Sequence, residues 1–546
     1  MSIHDRAMTQ AGGQIDPARR VELVWPPGSG ARLDLTASQV LRHAPLPGSH
    51  TNSTRATGRL QAGSRSLAAV IAATLLGACS LAPAYKPPEA PVAEHYQPAG
   101  PWTTAQPSDQ LPREGWWKLY GDERLNGLEQ QLIEHNADLA AAFASYEQSR
   151  DYLAQVRADL FPQVTAGVGA QRNRQSLNAP LHGATSPEYY NLYSVTGQAS
   201  YEVDLWGRVH DNVAAGRASM QASAADLASV QLSLEASLAD SYLQLLGVDR
   251  QIDLLQKTVD AYQRALQLTK TLHEGGAVSG LDVDRAQTQL SATRSQLSQT
   301  KAQRDLLLHA IAVLVGQPAS SFTLDPRIDL PNLPVIPVGL PSTLLERRPD
   351  IAAAERRTAE ANAQIGVARA AFFPSLTLSA GGGFASGKWG NLLTAPSEVW
   401  ALGPSLLMSV FDGGRRRAEV ASAHAAFDEA SARYRGTVLT AFQQVEDNQS
   451  LLSNYGNALV DQQDATTASD RTLRLALALY KQGANSYLDV VTAQVDALNA
   501  HLGLLSLQTN QLRASVQLVR ALGGGWQAED ISAQHLAEDA KAHGMK

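Results

Sequence analysis

The sequence predicts a mixed α and β protein made of two tandem repeats, each with two strands and long antiparallel helices. Three observations predict this fold class: an internal repeat, two long stretches without proline, and four segments in which apolar and polar residues alternate. The 546 residues can hold several domains, and a net charge of −7 is mild for this length. Since Lys and Arg form no long block, we expect no nucleic-acid partner.

The internal repeat organises most of the chain. The segment "LEQQLIEHNADLAAAFASYEQSRDYLAQVRADLFPQV" is echoed by "LLERRPDIAAAERRTAEANAQIGVARAAFFPSL", which aligns Phe161 with Phe373 at an offset of 212. Further along, "GGAVSGLDVDRAQ" is echoed by "QGANSYLDVVTAQ", which aligns Asp282 with Asp489 at an offset of 207. Matching landmarks in one order predict a duplicated unit. The predicted segments are a first repeat at 116–317, an inter-repeat segment at 318–341, a second repeat at 342–524 and a C-terminal tail at 525–546.

Long helices are predicted where proline is absent. No proline occurs from 188 to 317 or from 405 to the last residue, and proline is the residue least compatible with a helix interior. Apolar residues recur there in steps of three and four, as in Leu255, Val259, Tyr262 and Leu266, which is typical of left-handed coiled coils. A solid helical bundle would show the same pattern. The predicted long helices are about 208–273, 282–316, 414–481 and 487–522.

Four segments alternate with the period of two that is expected of strands. They lie at about 163–172, 192–205, 375–384 and 399–411. The last is the weakest, because Pro404 interrupts it and Leu407 and Phe411 fall on its polar side. Alternation over about ten residues is typical of strands that cross a membrane, although a soluble sheet with one wet face gives the same pattern.

The stretch "LLGACS" contains the only cysteine of the chain, Cys79. It ends an apolar run at 67–76 that follows three arginines and is too short to cross a bilayer, but suits a signal peptide at 59–78. Small residues before a cysteine resemble the lipobox of bacterial lipoproteins, which implies cleavage before Cys79 and a lipid, palmitate included, on its thiol. The alternative is a buried free cysteine. Residues 1–58 are interpreted as a non-structural upstream extension, and the proline-rich segment at 79–115 as a lipid anchor followed by an extended tether.

Four strands per chain cannot close a membrane sheet by themselves. Each unpaired edge group in lipid costs several kcal/mol, and the smallest membrane barrels have eight strands. Copies must therefore pool their strands. Two chains would give eight strands around a filled interior, whereas three would give twelve around an aqueous lumen. The polar strand faces favour the lumen, so we expect a trimer.

Several motifs resemble those of a known family. The lipobox, "AYKPPEAP", "GWWKLYGDERLNGL", "YEVDLWGRV", "SVFDGGRRRAEV" and the two glycine motifs resemble TolC-like outer-membrane factors, and most closely their NodT-type lipoprotein branch. The resemblance implies a homotrimeric twelve-stranded β-barrel in the outer membrane, continued by a periplasmic α-helical barrel. It also implies a passive channel of a tripartite efflux pump, whose partners are a periplasmic adaptor (membrane fusion) protein and an inner-membrane pump of the resistance-nodulation-division (RND) type.

Each glycine motif continues as Ser-x-x-Asp, at Ser279 to Asp282 and at Ser486 to Asp489. Such a pattern suits a helix N-cap, but three copies would also form rings of acids across a pore. In the family, a tyrosine and aspartates near these turns form the constriction, and the matching gate candidates are Asp282, Tyr480 and Asp489. The matching adaptor-docking candidates are Gly276, Ala277, Ser279, Gly483, Ala484 and Ser486.

An enzyme is not expected, and two other interpretations rival the efflux channel. No HExxH, GxSxG or Walker motif occurs and the histidines lack ligand spacing, so neither enzyme activity, nor a metal, nor any cofactor beyond the lipid is expected. The first rival is a protein-secretion duct paired with an ATP-driven exporter. The second is a lipid-anchored periplasmic coiled-coil scaffold without a pore, which predicts soluble strands.

Overall fold

The computed structural model describes residues 80–90, 115–178, 187–336 and 347–526. The predicted signal peptide, Cys79, the upstream extension, most of the tether and most of the tail lie outside these residues.

The first repeat begins with a short 3₁₀ turn at Trp116–Tyr120. Two helices follow, α1 (Glu123–His135) and α2 (Ala137–Ala158), and then two strands, β1 (Gln163–Arg174) and β2 (Tyr189–Val203). Two long helices complete it, α3 (Arg208–Glu274) and α4 (Gly280–Leu314). The sequence predicts one helix before Phe161, but Asn136 divides it, because its side chain accepts a hydrogen bond from the Leu139 N–H at 2.9 Å and so starts a new helix.

The second repeat has the same order without a counterpart of α1 among the described residues. It comprises α5 (Pro349–Ala370), β3 (Ser375–Ser386), β4 (Glu398–Leu407), α6 (Arg415–Lys481) and α7 (Tyr487–Ala521). The predicted fourth strand is too long, since β4 ends at Leu407 and residues 408–411 pair with nothing within the described chain. The inter-repeat residues 317–336 contain no helix or strand.

The four strands form one antiparallel sheet in the order β1-β2-β3-β4. The seam between the repeats is β2–β3, where Tyr201 lies opposite Leu378 and Val203 opposite Leu376. The sheet thus ends in β1 on one side and in β4 on the other.

The helices bury two main apolar clusters. One surrounds Trp116 and Tyr242 and joins α1, α3, α4 and α7. The other contains the predicted stripe Leu255, Val259, Tyr262 and Leu266 of α3, together with Tyr480 and Tyr487 near the far ends of α6 and α7. Within the residues described, no helix is both long and apolar enough to cross a membrane.

The sequence also predicts a stripe of mostly apolar residues on α7, and the structure buries only part of it. The stripe comprises Val491, Val495, Leu498, Leu502, Leu505, Thr509, Leu512, Val516 and Val519. Leu512, Val516 and Val519 are buried, but Val491 and Val495 are half-buried. Near its start, α7 instead buries Val490 and the small residues Ala493 and Ala497. The reason is that α7 contacts both α6 and α3, for example where Tyr262 donates a hydrogen bond to the Gln494 carbonyl oxygen at 3.0 Å.

Candidate functional site

Most apolar residues of the four strands lie on one side of the sheet, although Val399 and Leu407 of β4 lie on the other. Directly opposite residues of an antiparallel pair point to the same face, and Val168 lies opposite Val195, Val195 opposite Phe384, and Leu376 opposite Leu406. We call this side the apolar face. It consists of the even-numbered residues 164–170, the odd-numbered residues 193–203 and the even-numbered residues 376–384 and 400–406.

The apolar face is uncovered in the single chain. Val164 is 74% exposed, Val168 78%, Trp400 77% and Leu402 76%. A continuous apolar surface of this kind is unusual for a soluble monomer and marks contact with another protein or with lipid. The other side of the sheet presents mainly small and polar residues, such as Thr165, Gln198 and Thr377. The sheet therefore has one apolar and one polar face.

Aromatic residues lie at the end of the sheet remote from the helices. Tyr193 and Trp389 meet edge to face with ring centroids 5.6 Å apart, and the Arg174 guanidinium lies 5.5 Å from the centroid of the Tyr189 ring. Tyrosine, tryptophan and arginine are frequent where a membrane meets water, because each combines an apolar body with a polar group. This end of the sheet has the chemistry of such a boundary.

Residues 80–90, which we call the strap, contain no helix or strand and are held by the helices. Ser80 Oγ donates to Asp211 Oδ1 at 2.5 Å, in the first turn of α3. Further along, Asn362 Nδ2 donates to the Pro83 carbonyl oxygen at 2.8 Å and the Tyr85 hydroxyl donates to Glu355 Oε1 at 2.5 Å. These residues belong to the predicted extended tether, and side chains of α3 and α5 hold them in place.

The two turns at the far ends of the long helices are nearly identical. Gly276 and Gly483 both have φ of 75°, a left-handed conformation that favours glycine. After each glycine, a backbone N–H closes the helix: Ala277 donates to the Leu272 carbonyl at 2.8 Å and Ala484 to the Leu479 carbonyl at 2.9 Å. The six docking candidates all lie on these turns and are exposed.

The three gate candidates have different surroundings. Tyr480 is buried against Tyr487, with ring centroids 5.2 Å apart, and burial raises the pKa of its hydroxyl, to which the nearby Asp282 carboxylate adds. Asp282 also forms an ion pair with Arg285 at 3.3 Å. Asp489 accepts hydrogen bonds from Ser486 Oγ at 2.9 Å and from the Ser486 N–H at 3.2 Å. The structure thus buries Tyr480 against Tyr487, while Asp489 stays exposed and caps its own helix.

Some structurally important residues are missed by sequence reasoning. Glu129 is fully buried with both carboxylate oxygens unpaired, and burial, followed by the charge of Glu235, raises its pKa well above the ordinary value. Asp211, which holds the strap, is also buried. An acidic residue in a helix is usually exposed. The only feature of the sequence that could have indicated the burial of Glu129 and Asp211 was their position beside apolar residues.

The uncovered apolar face, the aromatic boundary and the paired helical hairpins define an outer-membrane channel protein with a long helical body. The family model described as "Outer membrane efflux protein" matches residues 128–317 and 340–524. The chain belongs to this family, which confirms the resemblance found in the sequence, and it is an outer-membrane efflux component. Members of this family are efflux channels rather than enzymes.

Known proteins support this assignment. The chain is 34% identical over 475 residues to the toluene efflux pump outer membrane protein TtgC of Pseudomonas putida, covering 86% of this chain and 98% of the relative. It is 34% identical over 471 residues to the pyoverdine export outer membrane protein OpmQ of Pseudomonas aeruginosa, covering 85% and 98%. Among solved structures, the outer-membrane channel OprN superposes with a TM-score of 0.76 at 31% identity, covering 82% of this chain and 100% of that channel.

Proposed function

We propose that three copies of this chain form one channel, in which their sheets join as a twelve-stranded barrel across the outer membrane. The observation that carries this proposal is the uncovered apolar face, bounded by strands β1 and β4 that have no neighbour on their outer sides within the described chain. In lipid such edges cost several kcal/mol per unpaired group. Three sheets closed into a ring would turn the apolar face towards lipid and the polar side towards an aqueous lumen.

The long helices would continue this lumen through the periplasm. The helices α3 and α6 are each 67 residues long, about 100 Å at a rise of about 1.5 Å per residue. A periplasmic adaptor and an inner-membrane RND-type pump would meet the glycine turns and deliver small molecules, and the channel itself would conduct them passively. The names of the two relatives, toluene efflux and pyoverdine export, support a small-molecule cargo over a secreted protein.

The gate and the docking surface are assigned to the same turns. Asp282, Tyr480 and Asp489 would narrow the lumen, because three copies place them around the axis. The exposed docking candidates Gly276, Ala277, Ser279, Gly483, Ala484 and Ser486 would receive the adaptor, since turns without bulky side chains allow its backbone to approach closely.

We also propose that Cys79 carries a lipid. The strap supports this, because Ser80, the next residue, is bound to the first turn of α3, close to where β2 ends. A lipid attached at that level would reach the membrane leaflet next to the sheet without a long spacer.

Two measurements test the proposal. Protein purified in mild detergent should be a trimer that resists SDS until heated, and it should conduct ions in planar bilayers. A stable monomer without conductance would instead support the periplasmic scaffold. Loss of the gene should sensitise cells to small toxic compounds, whereas loss of protein secretion alone would support the secretion duct.

A further inference from the structure

From α2 and α5 onward the two repeats of this chain are equivalent, and one side-chain contact recurs at matching positions. Helices α2 and α5 coincide at an offset of 212, and the two glycine turns coincide at 207. Arg294 Nη2 donates to Gln263 Oε1 at 3.1 Å between α4 and α3. At the positions 207 residues further on, His501 Nε2 lies 2.9 Å from Asp470 Oδ1 between α7 and α6.

This equivalence also relates the four strands. The register inside the first repeat pairs Val168 with Val195, and the register inside the second pairs Ala380 with Leu402. Both registers coincide when β1 is moved onto β3 by 212 and β2 onto β4 by 207. The same shift of 207 carries Gly207, which begins α3, onto Gly414, which begins α6, and both have positive φ.

The seam between β2 and β3 joins the end of one repeat unit to the start of the next. In a ring of copies, the corresponding seam joins β4 of one copy to β1 of the next copy. A regular barrel has the same stagger at each equivalent seam. If the stagger of the two seams differed, α3 and α6 would begin at different heights along the barrel axis. Their helical hairpins could then not form one even ring.

We propose that β4 pairs with β1 of the next copy in the register that the β2–β3 seam already shows. This inference rests on the proposed trimer. Adding 207 to each β2 position and subtracting 212 from its β3 partner converts the observed pairs into the new ones. Ala199 and Ala380 become Leu406 and Val168 of the next copy, and Val203 and Leu376 become Val410 and Val164 of the next copy.

This register extends the strand to within one residue of its predicted end at 411. Residues 408–410, unpaired in the single chain, would lengthen β4 opposite Val164 to Ala166 of the next copy. Val410 is 86% exposed, and pairing would place it beside another valine on the apolar face. Leu406 would likewise lie beside Val168, so the apolar face would continue unbroken from copy to copy.

A shift of two residues is the strongest competing register. It keeps apolar residues on the apolar face, whereas a shift of one would turn them to the lumen. One such shift places Val410 opposite Pro162, which has no N–H to pair, and it breaks the equivalence with the β2–β3 seam. The inferred register avoids both.

Cysteine cross-linking in outer-membrane fractions distinguishes these registers. The test pairs are Leu406→Cys with Val168→Cys on the apolar face and Ser409→Cys with Thr165→Cys on the polar side. Directly opposite residues have Cα atoms about 4.5–5.5 Å apart, which a disulfide can bridge. The matched controls combine Leu406→Cys with Ala166→Cys or with Ala170→Cys, which stand about 7–8 Å apart on the diagonal. Copper phenanthroline serves as the oxidant, and each single variant controls for the thiol of Cys79.

The expected result is a covalent trimer on non-reducing gels for both test pairs, and little cross-linking for the shifted pairs. If a shifted pair cross-links, the proposed register is wrong. The register is also wrong if no pair cross-links in a protein that is still a heat-sensitive trimer. Either result would leave the proposed channel intact. A monomer in every variant and in the unmodified chain would overturn the channel itself.

Discussion

Trp206 of the first repeat stacks on Phe373 of the second, with ring centroids 4.5 Å apart and planes 23° from parallel. The Trp206 indole N–H also donates to the Pro374 carbonyl oxygen at 2.8 Å. Trp206 follows β2 and Phe373 precedes β3, so the contact joins the repeats where the sheet meets the helices. It therefore holds the two repeats together at the helix end of the β2–β3 seam.

Trp206→Ala should therefore destabilise the protein by about 2–3 kcal/mol, below the range of about 3–5 kcal/mol for fully buried tryptophans because this side chain is partly exposed. The measurement is the temperature at which the SDS-resistant oligomer dissociates. Trp389→Ala is the matched control, since Trp389 lies in a short 3₁₀ turn between β3 and β4 and is 65% exposed. An equal effect of both substitutions would show that the Trp206–Phe373 contact adds no particular stability.

Glu129→Gln should stabilise the protein at neutral and alkaline pH. Burial, and then the charge of Glu235, raises the Glu129 pKa in the folded state, so the unfolded chain releases this proton more easily. The folded state is therefore favoured most below the ordinary pKa of a glutamate, and that advantage declines as the pH rises through the folded pKa.

The neutral glutamine removes this loss, and each kcal/mol gained should raise the unfolding midpoint by about 2–4 °C. Thermal unfolding at pH 8 and at pH 4.5 measures the effect, which should shrink at the lower pH. Glu134→Gln, on the same helix but exposed, should change neither midpoint. A Glu129→Gln variant that loses stability at pH 8 would show that the carboxylate is ionised and paired.

Gly366→Ala should release the strap. A Cβ at Gly366 would collide with Asp211 Oδ2 and with the Ala82 N atom, so the strap or the carboxylate must move. Limited proteolysis of the protein in detergent should then cut within residues 80–90. Gly436→Ala in α6 is the control, because a Cβ there meets nothing within 4 Å. Unchanged protease resistance in Gly366→Ala would mean that the strap does not depend on its close approach to Gly366.

Asp489→Asn and Asp489→Ala separate charge from capping. Asparagine can still accept hydrogen bonds from Ser486, whereas alanine cannot. If the proposed acidic ring exists, both variants should lose cation preference in planar bilayers, seen as a reversal potential closer to zero. Only the alanine variant should also lose stability, by about 1 kcal/mol. Unchanged conductance and ion preference in both would exclude Asp489 from the gate.

The prediction of the fold succeeded where the pattern is local. Heptad steps on α3 and alternation on β2 reflect which face of one element is apolar, and those faces are the ones observed. The predicted end of β4 was wrong within the single chain, because residues 408–410 continue the alternation but have no strand beside them. Strand length depends on a neighbour, which alternation alone does not supply.

The sequence alone determined the duplication, the long helices, the glycine turns and the alternating strands, because each depends on residues close together along the chain. Only the tertiary structure decided that the strap is held at Asp211, that Glu129 is buried, and that Trp206 stacks on Phe373. These contacts join residues far apart in the chain, and their energies depend on burial and distance. Neither quantity exists until the helices have packed.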